Sequence, residues 1–209
     1  MMESTDDKIS DPGTLHEHYG EPVAMAVKCE FERLDEHHRF FIRHSPFLCL
    51  AGAGSDGQPS VSPKGDAPGF VEVLDDPTLL LPDRIGNNKV ETFRHLLENP
   101  KVALVFMVPG IREVLRVWGT AEIRRDPELL DRVRGRGKRP RAALLIRVTK
   151  VYFHCGKALI RSRLWDPASQ SDAAKFPSFG CVIRDQARVA ESVEALQADM
   201  DRRYEELLY

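Results

Sequence analysis

The chain has 209 residues, 42% of them hydrophobic, with 30 basic and 32 acidic groups giving a net charge of −2. That length suits one domain with appendages, the apolar share excludes wholesale disorder, and the balanced charge excludes a general nucleic-acid binder, which needs a basic field. Four widely spaced cysteines, Cys29, Cys49, Cys155 and Cys181, form no C-x-x-C pair, and with no apolar run near the ~20 residues of a membrane helix and no signal-peptide pattern in the first 11 residues, a cytoplasmic protein with no membrane partner is expected.

Residues 1–13 read as a mobile arm with a turn at Asp11-Pro12-Gly13. His16 and His18 follow without the further ligands a metal would need, so they are taken as surface residues and no metal site is expected. Over residues 31–43, Phe31, Leu34, His38, Phe41 and Ile42 recur at helical spacing, which predicts an amphipathic helix ended by Ser45-Pro46, with His37 and His38 in a packing role. Short β-branched or apolar runs then alternate with turn residues. Strands are predicted over residues 47–53, 59–64, 70–74, 78–81, 102–108 and 114–123, with turns at 54–57, 66–69 and 75–77. Between the fourth and fifth strands, Asn88 with Glu91 three residues on resembles a capping box. Val90, Phe93, Leu96 and Leu97 continue at helical spacing until Asn99-Pro100, and Lys89 falls at the first helical position.

Many short strands and few helices point to a mainly β fold, an antiparallel closed or split barrel with flanking helices. No G-x-G-x-x-G follows a strand, so a doubly wound nucleotide-binding sheet is not supported. Residues 124–141 hold eight basic and three acidic groups; this segment could meet a phosphate or an acidic partner, or could be a solvated excursion between strands. Residues 142–155 are too continuously apolar in their first half for a solvated strand and should close the barrel or pair across a subunit boundary. His154 and Cys155 at its end are read as structural or pocket-lining. Residues 157–165 predict a short helix bearing Arg161, Arg163 and Trp165, residues 168–177 a polar linker, and residues 185–209 a C-terminal helix. The domain division expected is an arm at 1–30, the barrel at 31–165, and linker plus helix at 166–209.

Lys64, Arg84, Lys89 and Arg116 all fall where predicted elements begin or end. A helix start leaves about four N–H groups unpaired and carries roughly half a positive charge, so cations gathered around it would form a phosphate cradle.

The ordered segments Val-Ser-Pro-Lys-Gly-Asp (61–66), Asp-Pro-Thr-Leu-Leu-Leu-Pro-Asp-Arg-Ile-Gly-Asn-Asn-Lys (76–89), Leu-Leu-Glu-Asn-Pro-Lys-Val-Ala-Leu-Val-Phe (96–106) and Leu-Arg-Val-Trp-Gly-Thr-Ala (115–121) resemble the pyridoxamine 5′-phosphate oxidase-like family of FMN-binding split barrels. The resemblance covers about residues 40–123. It implies that Lys64 and Lys89 contact the FMN phosphate, that Arg84 and Asn88 line the same pocket, that Ser62 lies beside the flavin, and that Arg116, in an Arg-x-x-Gly turn ending at Gly119, is directed toward the cofactor. It also implies a homodimer with FMN at the interface and His154 near the pocket. True pyridoxamine phosphate oxidases carry a glutamine about where Val114 falls and an Arg-Leu-His motif near the C-terminus; here Arg161-Ser162-Arg163-Leu164-Trp165 stands instead, with Arg161 and Trp165 as candidate substrate contacts. The activity implied is FMN-dependent hydride or electron transfer to or from an unidentified small molecule. The alternative is a flavin or deazaflavin binding protein without that oxidase activity.

Overall fold

The computed structural model describes residues 8–169 and 175–209. The first seven residues of the expected arm and residues 170–174 of the expected linker lie outside the described residues. The chain divides into two compact units, Met1–Glu30 and Phe31–Tyr209.

The first unit holds two short helices, α1 (Pro12–Tyr19) and α2 (Ala24–Lys28). Asp11, expected in a turn, instead starts α1. Its Oδ1 accepts from the Gly13 and Thr14 amides at 2.9 and 3.0 Å, and Pro12 follows at the first helical position, where a missing N–H breaks no intrahelical bond. His16 and His18 are exposed.

The second unit is built on seven antiparallel strands: β1 (Phe47–Ala53), β2 (Pro59–Gly65), β3 (Glu72–Asp75), β4 (Thr78–Pro82), β5 (Lys101–Met107), β6 (Val114–Arg124) and β7 (Ala143–His154). Their order in one sheet is β2-β1-β5-β6-β7-β4-β3. This is a split barrel, mainly β with flanking helices, as the strand and turn pattern predicts. Alternation fills its interior with Leu48 and Leu50, Leu104 and Phe106, Leu115 and Val117, all at most 1% exposed. β7 pairs with both β6 and β4, which closes this side of the barrel. Its apolar first half and the Leu79-Leu80-Leu81 run are continuous because both faces are covered. Leu79 and Leu81 face the main core, while Leu80 and Ala143 pack with Leu130 of α5 (Pro127–Arg132) and with Val133.

Gly119 lies within β6 rather than at the end of a turn, beside a bulge where Trp118 pairs with Lys150 and Gly119 with Val148. A Cβ there would stand 2.3 Å from the Arg147 carbonyl oxygen, so this strand crossing admits only glycine.

The helix predicted from residue 31 begins later, as α3 (Glu36–His44). Phe31 is instead bridged to Val151, its N–H and C=O both bonded to that residue. Asp35 and His38 form the capping box of α3: Asp35 Oδ1 accepts from the His38 amide at 2.9 Å and His38 Nδ1 accepts from the Asp35 amide at 3.2 Å. An accepting Nδ1 belongs to a neutral ring. The imidazole is 2% exposed, between Phe31 and Phe153, and burial holds its pKa below the ordinary histidine value, with nearby Asp35 opposing. The folded state therefore resists a proton that the unfolded chain accepts. Stability is retained above about pH 6.5 and falls as pH drops below it. The drop in Tm between pH 7.5 and 5.5 is expected to be smaller for His38→Gln, which keeps a capping side chain but cannot titrate; an equal drop would refute this assignment.

The C-terminal region contains α6 (Lys157–Ser162), α7 (Phe179–Ala187) and α8 (Val193–Glu206). The single helix expected over residues 185–209 is thus two, because Arg188 adopts a left-handed backbone and Ser192 starts a new helix by capping the Ala195 amide.

Candidate functional site

A cavity of about 540 Å³ is lined by β2, by the loop between β4 and α4 (Glu91–Glu98), by the first residues of α4, by residues 135–141 and by Tyr209. Ser62 and Lys64 reach it from β2, and Arg84, Asn88 and Lys89 from the loop. Five of the six candidate cofactor residues therefore meet at one place, although they span 28 positions of sequence.

The loop differs from the expected helix start. Helix α4 begins at Glu91, its N-cap is Val90 with φ 46°, and Asn88 also has positive φ at 58°. A β-branched residue in the left-handed region is rare and strained. Asn88 is thus not the cap and Lys89 is not in the helix; instead the Asn87 side chain accepts from the Lys89 amide at 3.1 Å. Glu91 occupies the first turn, so part of the helix charge is already answered by a carboxylate. What the loop presents to the cavity is mainly its side-chain cations.

Those cations are held differently. Lys64 Nζ is 3.0 Å from Asp83 Oδ1 and 5.6 Å from the centre of the Phe93 ring. Arg84 Nε is 2.6 Å from Asp66 Oδ2, in a pair whose side chains are 17% and 4% exposed, and Arg84 Nη1 donates to the Val133 carbonyl at 2.9 Å. Burial pushes the Asp66 carboxyl up, but hydrogen bonds from the Tyr209 hydroxyl at 2.6 Å, the Ala67 amide and Arg84 outweigh it and hold the group below the usual carboxylate range. The same contact raises the Tyr209 phenol, since the ionised form would face Asp66. Lys89 has no ion pair among the described residues, which leaves its charge available to a ligand.

The basic segment is part of the site. Gly135 and Lys138 exchange both backbone hydrogen bonds around Arg136 and Gly137, whose φ values of 44° and 81° form a tight hairpin turn. Arg134 and Arg139 both bond Asp131, lowering its pKa, with the Arg139 contact the larger cause. A Cβ on Gly135 would come within 2.6 Å of the Arg84 guanidinium carbon, so a larger residue here would push the guanidinium from its present place against the hairpin. Lys138, Arg139 and Arg141 thereby join the cavity wall. Charge count alone left this segment undecided; the signal that could have placed it was Gly135, with cations on either side.

Sequence reasoning missed Asp66, Thr92 and Tyr209. Tyr209 bonds Asp66 through its hydroxyl and lies 4.8 Å from the Arg136 guanidinium, contacts between segments up to 143 positions apart that no local pattern carries.

Arg116 does not line the cavity. It lies on the outer face of β6, its guanidinium carbon 4.6 Å from the Trp118 ring and its Nη1 donating to the Tyr152 hydroxyl at 3.0 Å. Strand alternation explains this: Leu115 and Val117 take the inward positions. Nor do Arg161 and Trp165 reach the cavity; Arg161 is exposed on α6, which ends at Ser162, and Trp165 Nε1 donates to the Ile111 carbonyl at 2.8 Å. His154 and Cys155 are likewise absent from its lining.

The family model described as pyridoxamine 5′-phosphate oxidase matches residues 34–155, more than half of the chain and the whole span that carries the cavity's strands and loop. The chain belongs to this family. No curated protein matches it. Solved structures similar to this member include HupZ of Group A Streptococcus, at 20% identity and TM-score 0.47, covering 57% of this chain and 93% of that one. A candidate pyridoxamine 5′-phosphate oxidase from Lactobacillus delbrueckii has 27% identity and TM-score 0.46, covering 58% and 95%. HutZ, the heme storage protein from Vibrio cholerae, has 18% identity and TM-score 0.41, covering 57% and 94%. The basic hairpin at 135–141 lies inside the span matched by the family model.

Proposed function

We propose that the chain is an FMN-dependent oxidoreductase that moves a hydride or electrons between a small organic molecule and the flavin. The observation that carries this reading is the convergence of Ser62, Lys64, Arg84, Asn88 and Lys89 on one cavity, with Lys89 lacking an ion pair among the described residues. A volume of about 540 Å³ lies within the usual range of cofactor pockets, roughly 300–1,000 Å³. The donor set suits a phosphate, since six cations line the wall against the two carboxylates of Asp83 and Glu91. In this reading Lys89 and Lys64 hold the phosphate, Arg84 braces the loop, and Ser62 and Phe93 meet the ring. Bound flavin supplies the redox chemistry, while the chain binds, orients and sets the electrostatics.

The same reading includes a homodimer. The outer face of the sheet carries a cross-strand row of Val61, Ala51, Ala103 and Trp118, and beside it a row of Pro63, Cys49, Val105 and Arg116. Val61 is 66% exposed, and Pro63 also lines the cavity, so this apolar face is continuous with the site. A second copy seated there would place Arg116 and Trp118 in the seam beside a cofactor. This role suits Arg116 better than one within its own chain's cavity.

Titrating the purified protein with FMN while following flavin fluorescence and the visible spectrum tests the reading. Saturable binding is expected, followed by bleaching when a reductant such as a nicotinamide or pyridoxamine phosphate is added. Absence of FMN binding would overturn it. Binding without bleaching by any donor would leave a flavin-binding module rather than an oxidoreductase.

A further inference from the structure

A line of hydrogen bonds leaves the cavity and enters the barrel wall. Ser62 Oγ stands 2.8 Å from Thr92 Oγ1, Thr92 Oγ1 stands 3.3 Å from Ser60 Oγ, and Ser60 Oγ stands 3.1 Å from His95 Nδ1. Thr92 and Ser60 are 3% and 6% exposed, so water does not compete freely for these hydroxyls. Ser62, at one end, and Thr92 border the cavity, whereas Ser60 and His95 do not.

Each hydroxyl has one proton to give, and each of the three links needs one. An accepting His95 Nδ1 therefore commits all three hydroxyl protons in one direction. When His95 Nδ1 accepts, Ser60 donates to it, Thr92 donates to Ser60 and Ser62 donates to Thr92, so Ser62 offers the cavity lone pairs alone. When Nδ1 carries a proton it donates to Ser60, four protons then serve three links, and the Ser62 proton can be released toward the cavity. A neutral ring can hold Nδ1 in either role, but an imidazolium, a donor at both nitrogens, always leaves one proton of the chain spare. We propose that His95 is a positioning residue whose protonation, relayed through Ser60 and Thr92, frees the Ser62 hydroxyl, otherwise committed to Thr92, to donate at the ligand. This rests on the flavin reading for the identity of the ligand, though not for the coupling itself.

Two carboxylates stand near the imidazole. Glu98, one turn along α4, interacts with it, and the Ser55 amide and hydroxyl hold the Glu98 carboxyl below the usual range. Asp56, on the turn between β1 and β2, stands beside Glu98; around Gly54, Asp56 Oδ1, the His95 ring and Glu98 Oε2 all lie within 3.5 Å of one point. From β2 the ring meets the Ser60 hydroxyl. The flavin ring edge is rich in acceptors, so the donor state of Ser62 is the one that favours binding.

The test uses the whole chain and its Thr92→Val variant, which keeps side-chain shape but removes the central hydroxyl. In the ligand-free protein, the His95 Nδ1 signal is followed by nitrogen NMR from pH 5.5 to 8.5. The variant is expected to shift its tautomer ratio and midpoint; identical titrations would overturn the proposal whether or not flavin binds. Riboflavin is then titrated over the same range, because it lacks a phosphate that would itself titrate near pH 6. Wild type is expected to bind roughly 3- to 10-fold more tightly on the acid side of the measured His95 midpoint. That step should vanish in both Thr92→Val and His95→Gln. A step that persists in Thr92→Val would overturn the relay, since a network that only fastens α4 to β2 predicts no difference in pH profile. Failure of wild type to bind any flavin, with the NMR coupling intact, would sink the flavin reading and leave the coupling standing.

Discussion

Arg84→Ala is expected to lower stability by about 3 kcal/mol, the lower end of what breaking a buried ion pair costs. Asp66, 4% exposed at its side chain, would lose its guanidinium and keep only the Ala67 amide and Tyr209 hydroxyl, while the Val133 carbonyl would lose its donor. Those surviving partners are why the loss stays near 3 rather than 5 kcal/mol. Denaturant unfolding checks it, and a companion Arg84→Ala/Asp66→Asn pair separates the causes. If the uncompensated carboxylate is the main penalty, the double variant should recover much of the loss. A single variant as stable as wild type would mean that the pair only decorates the surface.

Lys89→Ala should act on binding instead of folding. Its side chain is exposed and has no ion pair among the described residues, so stability should stay within about 0.5 kcal/mol of wild type. FMN affinity should fall by about 1–3 kcal/mol, the loss of a hydrogen bond to a charged group, whereas riboflavin affinity should barely change. An equal loss for both flavins would show that Lys89 meets the ring or the ribityl chain and that the phosphate is held elsewhere. Unchanged FMN affinity would move the phosphate away from this loop altogether.

The strands were legible because turn chemistry brackets them: Phe47–Ala53 falls exactly where Pro46 and Gly54 bound it, and the other strand ends move by at most a residue or two. Phe31 was misread because its helical spacing to Leu34 and His38 competes with a backbone bridge to Val151, 120 positions away, and the bridge wins. The start of α4 was misread because Val90 accepts a left-handed backbone that its branched side chain disfavours. Arg116 was placed by analogy of motif, yet strand parity turns it to the opposite face from Val117. The phosphate-side cations were legible as a set, while their carboxylate partners were not. Asp66 was read as a turn residue, and nothing local links it to Arg84 or Tyr209.

The knot around Arg84 has a thermodynamic consequence. One guanidinium joins the turn after β2 to the stretch after α5, and through Asp66 it also joins Tyr209, so three distant parts of the chain share a single anchor beside the ligand cavity. Occupancy of that cavity and seating of Tyr209 are then linked equilibria: whatever steadies one raises the population of the other, and slowed amide exchange at Asp66 and Val133, which do not line the cavity, would register a ligand bound there.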